Sequence, residues 1–316
     1  MKVLLCPGQG AQVPGMGRDV AERWPVAREV FERADAALGF PLSEVVFGGS
    51  AEEVERTDVC QPGILTVSVA ILEVLRTEGA FDPAVLAYAL GLSLGEYTAH
   101  CVAGTLRFED AVRLVRRRGQ YMQEASDAVP SGMAAVIGLE LDAIEAACAA
   151  VRAEGGVVVV ANRNAPGQVV VSGEKHALAA CGERLTAAGA RRFVPLKVAG
   201  AFHSPVMQPA AARLAADLAA TEFREPAVPV VSNVTAAPVR SAAEARATLA
   251  RQIVEPVLFE ASLVHVLGAA AGTAQFLEPG PGRTLTGFVK KVDRAAVTQS
   301  ADTADEVAAR IAGGAA

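Results

Sequence analysis

Histidine, tryptophan and tyrosine are scarce in this chain, and each scarcity narrows what it can do. There are four histidines, three tyrosines and one tryptophan in 316 residues, so any imidazole chemistry has few places to reside. The five cysteines (Cys6, Cys60, Cys101, Cys148 and Cys181) are scattered, odd in number and never spaced C-x-x-C. That pattern argues against a disulfide framework and against a zinc site, and reduced thiols suit a cytoplasmic address. Positive charge is not in excess: the formal net charge is −6, which gives no support to a nucleic-acid partner. The chain reaches Pro7 and Gly8 too soon for a signal-peptide core, and no later stretch reads as the ~18 apolar residues of a membrane span. No Gly-Lys-Ser/Thr follows Gly8-Gln9-Gly10, and that turn lacks a third glycine in register. A P-loop reading therefore fails, and a dinucleotide-binding oxidoreductase is the weakest of the competing readings.

What is present is an ordinary globular composition, 52% apolar and 20% charged, sufficient to bury a large core. Val3–Cys6 reads as a buried strand, followed by helical patterns over Val20–Ala37 and Pro62–Thr77. A second strand, Val85–Leu90, runs into Gly91-Leu92-Ser93-Leu94-Gly95 and a helix to about Ala103. Asp110–Ala125 is an amphipathic helix opened by Glu109 and Asp110. The middle of the chain changes to strand Met133–Leu139, helix Asp142–Arg152, strands Val157–Ala161 and Gln168–Ser172, helix Glu174–Ala188 and strand Arg192–Val198. That β-α-β-β-α-β order is the ferredoxin-like split unit. Afterwards helices and strands alternate again: Pro209–Thr221, Val228–Ser232, Ala242–Ile253, Phe259–Leu267, Ala274–Leu277 and a helix from Thr284. The expectation is an α/β fold with a mostly parallel sheet, residues 1–127 and 198–316, interrupted by a small subdomain over residues 128–197. The Ala/Gly tail at 312–316 should fray.

Gly91-Leu92-Ser93-Leu94-Gly95 has the Gly-x-Ser-x-Gly form of a nucleophile elbow, in which a serine on a strained strand-to-helix turn points its hydroxyl out at the sheet edge. In a chain with 29 glycines the string alone is weak, and an ordinary turn would show it too. The apolar strand before it and the helix after it make Ser93 the candidate nucleophile. The N–H of Leu94 then starts a helix beside the reacting carbonyl, and the Gly8–Gly10 loop could add the N–H of Gln9 to complete an oxyanion hole.

Elimination finds the base. His100 lies about 10 Å along the helix from Ser93. His176 and His265 sit on amphipathic or apolar helical segments and read as solvated or structural. His203, in Gly200-Ala201-Phe202-His203-Ser204-Pro205, occupies a loop after a strand, where α/β proteins place chemistry. No Asp or Glu between Ser93 and His203 has a strand-end setting, so a main-chain carbonyl from the Gln252 segment fits better as the third partner. One further residue is misplaced. On the Asp110–Ala125 wheel Arg118 falls in the apolar stripe with Leu114, Val115 and Met122. A buried guanidinium needs a carboxylate, supplied either by an internal acid or by a dicarboxylic substrate.

These residues resemble, in order, those of the bacterial malonyl-CoA:acyl-carrier-protein transacylases and the acyltransferase domains of polyketide synthases. The matching strings are Pro7-Gly8-Gln9-Gly10-Ala11-Gln12, Gln61-Pro62, Gly91 to Tyr97, Arg118-Gly119 with Met122-Gln123, Asn164 to Gln168, Gly200 to Pro205, Arg251-Gln252 with Pro256-Val257, and Glu278 to Gly282. They span nearly the whole chain. The resemblance implies a hydrolase-like core with a ferredoxin-like insert and a ping-pong reaction. In it a malonyl group passes from coenzyme A through Ser93 to the phosphopantetheine thiol of an acyl carrier protein, with no cofactor. It implies His203 as base, the Gln252 carbonyl as its orienter, Gln9 and Leu94 as oxyanion donors, and Arg118 as the malonyl clamp. Gln61, Asn164 and Gln168 would line the acyl and pantetheine channel, and Phe202 would mark malonyl selectivity. Leu92 departs from the family's usual histidine and bears on acyl specificity. Arg191, Arg192, Lys290, Lys291 and Arg294 are candidates for docking an acidic carrier. The rival readings are an esterase or thioesterase, an editing acyl hydrolase, a polyketide acyltransferase using another acyl group, and a non-enzymatic docking module.

Overall fold

Two sheets organise the chain in the computed structural model, which describes residues 1–314; Ala315 and Ala316, the end of the tail expected to fray, lie outside the described residues. The strands are β1 (Lys2–Cys6), β2 (Leu86–Gly91), β3 (Ser131–Ile137), β4 (Val158–Ala165), β5 (Gln168–Glu174), β6 (Arg192–Pro195), β7 (Val230–Val231), β8 (Pro238–Val239), β9 (Gln275–Pro279) and β10 (Val297–Ala301).

The larger sheet has the order β10-β9-β1-β2-β7-β8 and is parallel except for the β7–β8 pair. Its central strand shows why the sequence read as a continuous apolar run. Leu4 and Cys6 enter one hydrophobic cluster and Val3 and Leu5 the other, so both faces of β1 are covered. The smaller sheet has the order β4-β5-β3-β6, antiparallel throughout, with helices Leu141–Ala153 and Lys175–Ala187 on it. This is the ferredoxin-like arrangement expected, with its own core around Val136, Ile144, Val171 and Leu185. Strand β4 also pairs with the segment just before the helix Phe259–Ala270, where Val257 accepts from the Arg163 N–H at 2.9 Å and donates to the Ala161 carbonyl at 2.8 Å.

Several boundaries differ from expectation for identifiable reasons. Val20–Ala37 is two helices, Arg18–Arg23 and Pro25–Leu38, because Trp24 precedes a proline and is held extended at φ −122°, ψ 120°. The helix expected to begin at Pro62 begins at Thr57 and ends at Thr77. By length and composition it could cross a membrane, a property the sequence reading missed, but 94% of its most apolar window is buried inside the fold, as befits a core helix. Strand β10 and the helix Ala304–Ala312 went unread: β10 is an edge strand, Val-Thr-Gln-Ser-Ala, with only Ala301 buried, so it carries no apolar run. Lys290, Lys291 and Arg294 precede the first residue of β10, at the edge where the parallel strands begin. Ser93 follows the last residue of β2, at the opposite edge. Those three cations are therefore not beside the candidate nucleophile, and Lys290 Nζ is occupied by the carbonyls of Arg294 and Ala296 at 3.3 and 2.5 Å.

His100, set aside as too far from Ser93, is fully buried with neither ring nitrogen hydrogen-bonded. Burial pulls its pKa down to about 3. The folded chain thus binds fewer protons than the unfolded one between pH 6.5 and about 3, and stability is lost as pH falls through that window. Replacing His100 with leucine should remove roughly 1.4 kcal/mol of acid destabilisation for each pH unit below the ordinary histidine value. Urea denaturation of both proteins from pH 7.5 to 4.5 reads this directly; parallel pH profiles would refute it.

Candidate active site

Strand β2 ends at Gly91, and the helix Leu94–Val102 starts after only Leu92 and Ser93, which forces Ser93 into φ 52°, ψ −102°. A non-glycine residue there is strained by about 1–3 kcal/mol and persists only where its surroundings hold it. The flanking glycines are what let the turn close. A methyl at Gly91 would collide with the Gly95 backbone, and one at Gly95 with the Cys6 carbonyl. His203 is the second strained residue of the site, at φ 56° in the loop between β6 and the helix Gln208–Ala220.

The two meet. Ser93 Oγ lies 2.8 Å from His203 Nε2, and His203 Nδ1 lies 2.7 Å from the main-chain oxygen of Gln252. A carbonyl can only accept, so Nδ1 carries the proton and Nε2 is left to accept from the serine hydroxyl. His203 is 3% exposed, and its burial, with the Arg118 charge added, lowers its pKa to about 4 despite the Gln252 carbonyl. The imidazole is therefore neutral at physiological pH, the form a base requires.

Arg118 is 1% exposed on the helix Phe108–Ala128. Its Nη1 donates to Gln61 Oε1 at 2.8 Å, and its Nη2 donates to Ser93 Oγ at 2.9 Å and Gln252 Oε1 at 3.1 Å. Its Nε has no partner, and among the described residues no carboxylate lies within ion-pair distance. The internal acid left open by the helical wheel is thus not in contact. The carboxyl whose charge bears on it is the buried Glu96, whose own pKa burial raises to about 7 in spite of its bonds to Gln252 and Asn233. Burial lowers the guanidinium pKa, which nevertheless stays charged at any ordinary pH.

A cavity of about 130 Å³ opens on Ser93 and His203, lined among others by Gln9, Leu92, Met122, Asn162, Asn164, Leu196 and Phe202. Among the described residues nothing accepts the backbone N–H of Gln9 or of Leu94, so both donors are free. The structure thus gathers Gln9, Leu92, Ser93, Asn164, Phe202 and His203 around one cavity, with Gln61, Arg118 and Gln252 hydrogen-bonded to members of that lining. Gln61 joins the two groups by donating to Gln9 Oε1 at 3.3 Å. Gln168 stands apart: it follows the Pro166–Gly167 turn as the first residue of β5 and is not among the side chains on this cavity. Asn164 Oδ1 is buried without a partner, available to an amide donor entering the cavity.

Two residues carry more of the arrangement than the sequence suggested. Gln252 contributes its side chain as well as its carbonyl, with Nε2 donating to Ser93 O at 2.9 Å and to Glu96 Oε2 at 2.6 Å. Asn233 bonds to the elbow itself, accepting from the Ser93 N–H at 2.7 Å. The only sequence signal for Asn233 is a polar side chain just past the expected Val228–Ser232 strand, and nothing in the sequence says that β7 lies beside β2.

Comparison with known proteins finds relatives along nearly the whole chain. The acyl transferase domain model matches residues 3–310. Malonyl CoA-acyl carrier protein transacylase of Bacillus subtilis is 41% identical over 290 residues, 92% of this chain and 90% of the relative. The protein of that name from Escherichia coli K12 is 44% identical over 286 residues, 90% of this chain and 91% of the relative. Among solved structures, an acyl carrier protein S-malonyltransferase from Vibrio cholerae superposes with TM-score 0.92 at 37% identity, covering 98% and 99% of the two chains. A malonyl-transacylase in complex with a type II PKS acyl-carrier protein superposes with TM-score 0.92 at 38% identity, covering 99% of each.

Proposed function

The chain belongs to the acyl transferase domain family, among the malonyl CoA-acyl carrier protein transacylases, and we propose that it moves a malonyl group from coenzyme A to the phosphopantetheine thiol of an acyl carrier protein through an ester on Ser93. Ser93 gives its proton to His203 Nε2 as Oγ attacks the thioester carbonyl. The oxyanion accepts hydrogen bonds from the N–H groups of Gln9 and Leu94. The carbon–sulfur bond then breaks, and His203 returns the proton to the departing thiolate of coenzyme A. In the second half the carrier's thiol passes its proton to His203 and attacks the ester carbonyl. Ser93 leaves and recovers the proton, so the enzyme ends as it began.

The observation that carries the malonyl assignment is Arg118: a buried guanidinium, 2.9 Å from Ser93 Oγ, with no carboxylate against it. A dicarboxylic acyl group brings the missing anion to where the ester forms. A simple esterase has no use for that charge.

Initial rates measured over a grid of malonyl-CoA and holo carrier protein test the two-step scheme. Parallel double-reciprocal lines are expected, and intersecting lines would contradict it. In the same assay His203→Ala should slow both half-reactions by at least ~10², the scale of losing a general base. Because burial holds His203 at about 4, wild-type acylation should also keep its rate as pH falls through 6.5. Glu96, held at about 7, titrates in the same window, so an inflection near 6.5 that persists in Glu96→Gln would mean that a solvated histidine, not this one, is the base.

A further inference from the structure

Among the described residues Asn233 does not line the cavity or bond to His203, yet it is the one side chain that bonds to both Gly91 and Ser93 of the elbow. Its Oδ1 accepts from the Ser93 N–H at 2.7 Å, and its Nδ2 donates to the Gly91 carbonyl at 2.7 Å. Gly91 ends β2 and Ser93 caps the following helix, so the two bonds bracket Leu92 and fix the N-terminal side of Ser93, whose backbone is at φ 52°. Such a conformation relaxes unless something outside the turn fixes it. Asn233 comes from 140 residues away and is itself fixed. It lies just past β7, which pairs with β2 at Ala89 and Val230. Its backbone N–H donates to Glu96 Oε2 at 3.1 Å, and its carbonyl accepts from the Leu258 N–H at 2.8 Å. Asn233 is 1% exposed, and both atoms of its amide are satisfied by the elbow alone.

The same Glu96 oxygen accepts from Gln252 Nε2, and Gln252 holds His203 by its main-chain oxygen. Nucleophile and base are thus braced from one buried carboxyl, through Asn233 on one side and Gln252 on the other.

We propose that Asn233 is a positioning residue for the acyl transfer, holding Ser93 in the left-handed conformation from which its hydroxyl reaches His203. The proposal rests on Ser93 being the acylated residue. An asparagine is required because the elbow presents a donor and an acceptor in succession. Leucine offers neither, alanine offers neither and leaves a gap, and aspartate accepts from Ser93 but repels the Gly91 carbonyl unless protonated.

The test compares wild type, Asn233→Ala, Asn233→Leu and Asn233→Asp, each confirmed folded by circular dichroism and a thermal scan. The rate of Ser93 acylation by malonyl-CoA should fall at least ~10-fold in the alanine and leucine variants, with KM for malonyl-CoA within a few-fold of wild type, the signature of a lost transition-state geometry rather than lost binding. Asn233→Asp, expressed as a ratio to wild type at each pH, should recover as pH falls from 8 to 5, because its protonated form donates to Gly91 as the amide did. Labelling of Ser93 by a fluorophosphonate is followed in parallel and should slow in the same order. That probe needs no malonyl specificity. If wild type takes up the phosphonate but no malonyl, the acyl assignment fails while the brace is still measured. Folded variants that label and acylate at the wild-type rate, or an aspartate ratio flat with pH, would overturn the proposal.

Discussion

Arg118→Ala is expected to lower acylation by malonyl-CoA by two to three orders of magnitude while acylation by acetyl-CoA holds steady or rises. The guanidinium is 1% exposed, and its three partners, Gln61, Ser93 and Gln252, are all uncharged. Its charge is thus taken out of water without an anion in contact, which is costly until the substrate supplies one. Breaking a buried pair by removing one member typically costs about 3–5 kcal/mol, and roughly 1.4 kcal/mol is a tenfold change. Acetyl has no carboxylate to lose; its methyl gains apolar room and sheds an unpaired charge. Arg117 provides the control on the same helix. Its side chain is 55% exposed and paired with Asp217 at 2.6 Å, so Arg117→Ala should change neither rate by more than a few-fold. The ratio of malonyl to acetyl specificity constants in the three proteins is decisive. Equal losses for both substrates in Arg118→Ala would make the arginine a structural element and remove the physical case for a dicarboxylic substrate.

Why Arg118 was legible from the sequence, and Asn233 was not, follows from the range of the signal each leaves. An amphipathic helix has a fixed period, so a charge on its apolar stripe stands out within one segment. The elbow is equally local, with Gly91 and Gly95 set around Ser93 by the steric demands of a strand turning into a helix. The parallel sheet was readable because β1 and β2 are buried on both faces and leave unbroken apolar runs. Strand order is not local. That β7 borders β2 brings Asn233 to Ser93 from 140 residues away, and without it Asn233 is one more polar residue after a strand. The short or solvent-facing elements were lost for the opposite reason. Strand β10 alternates Val-Thr-Gln-Ser-Ala at a sheet edge and buries too little to leave a pattern. Gln168 was placed in the channel by resemblance to a motif that ends at a hairpin, and its side chain is not on the cavity. Gln252 was read for its carbonyl alone, since nothing in a sequence shows that its amide also spans Arg118, Ser93 and Glu96.

The larger effect belongs to Ser93 itself. Ser93→Ala is expected to abolish acyl uptake, because no other hydroxyl in the described residues combines an elbow, a hydrogen bond to a neutral histidine and free N–H donors beside it. The hydroxyl has two lone pairs, so it can accept from Arg118 Nη2 at 2.9 Å while donating to His203 Nε2 at 2.8 Å. The bond to the imidazole takes the hydroxyl's proton as the oxygen attacks. Alanine keeps the cavity and Arg118, so substrate can still bind, but there is no atom to form the ester. The direct measurement is intact mass spectrometry of wild type and Ser93→Ala after brief incubation with malonyl-CoA. Wild type should gain one malonyl group, localised to the peptide containing Ser93, and the variant none. A malonyl adduct on Ser93→Ala, or a wild type that turns over malonyl-CoA without ever carrying the acyl group, would contradict the account.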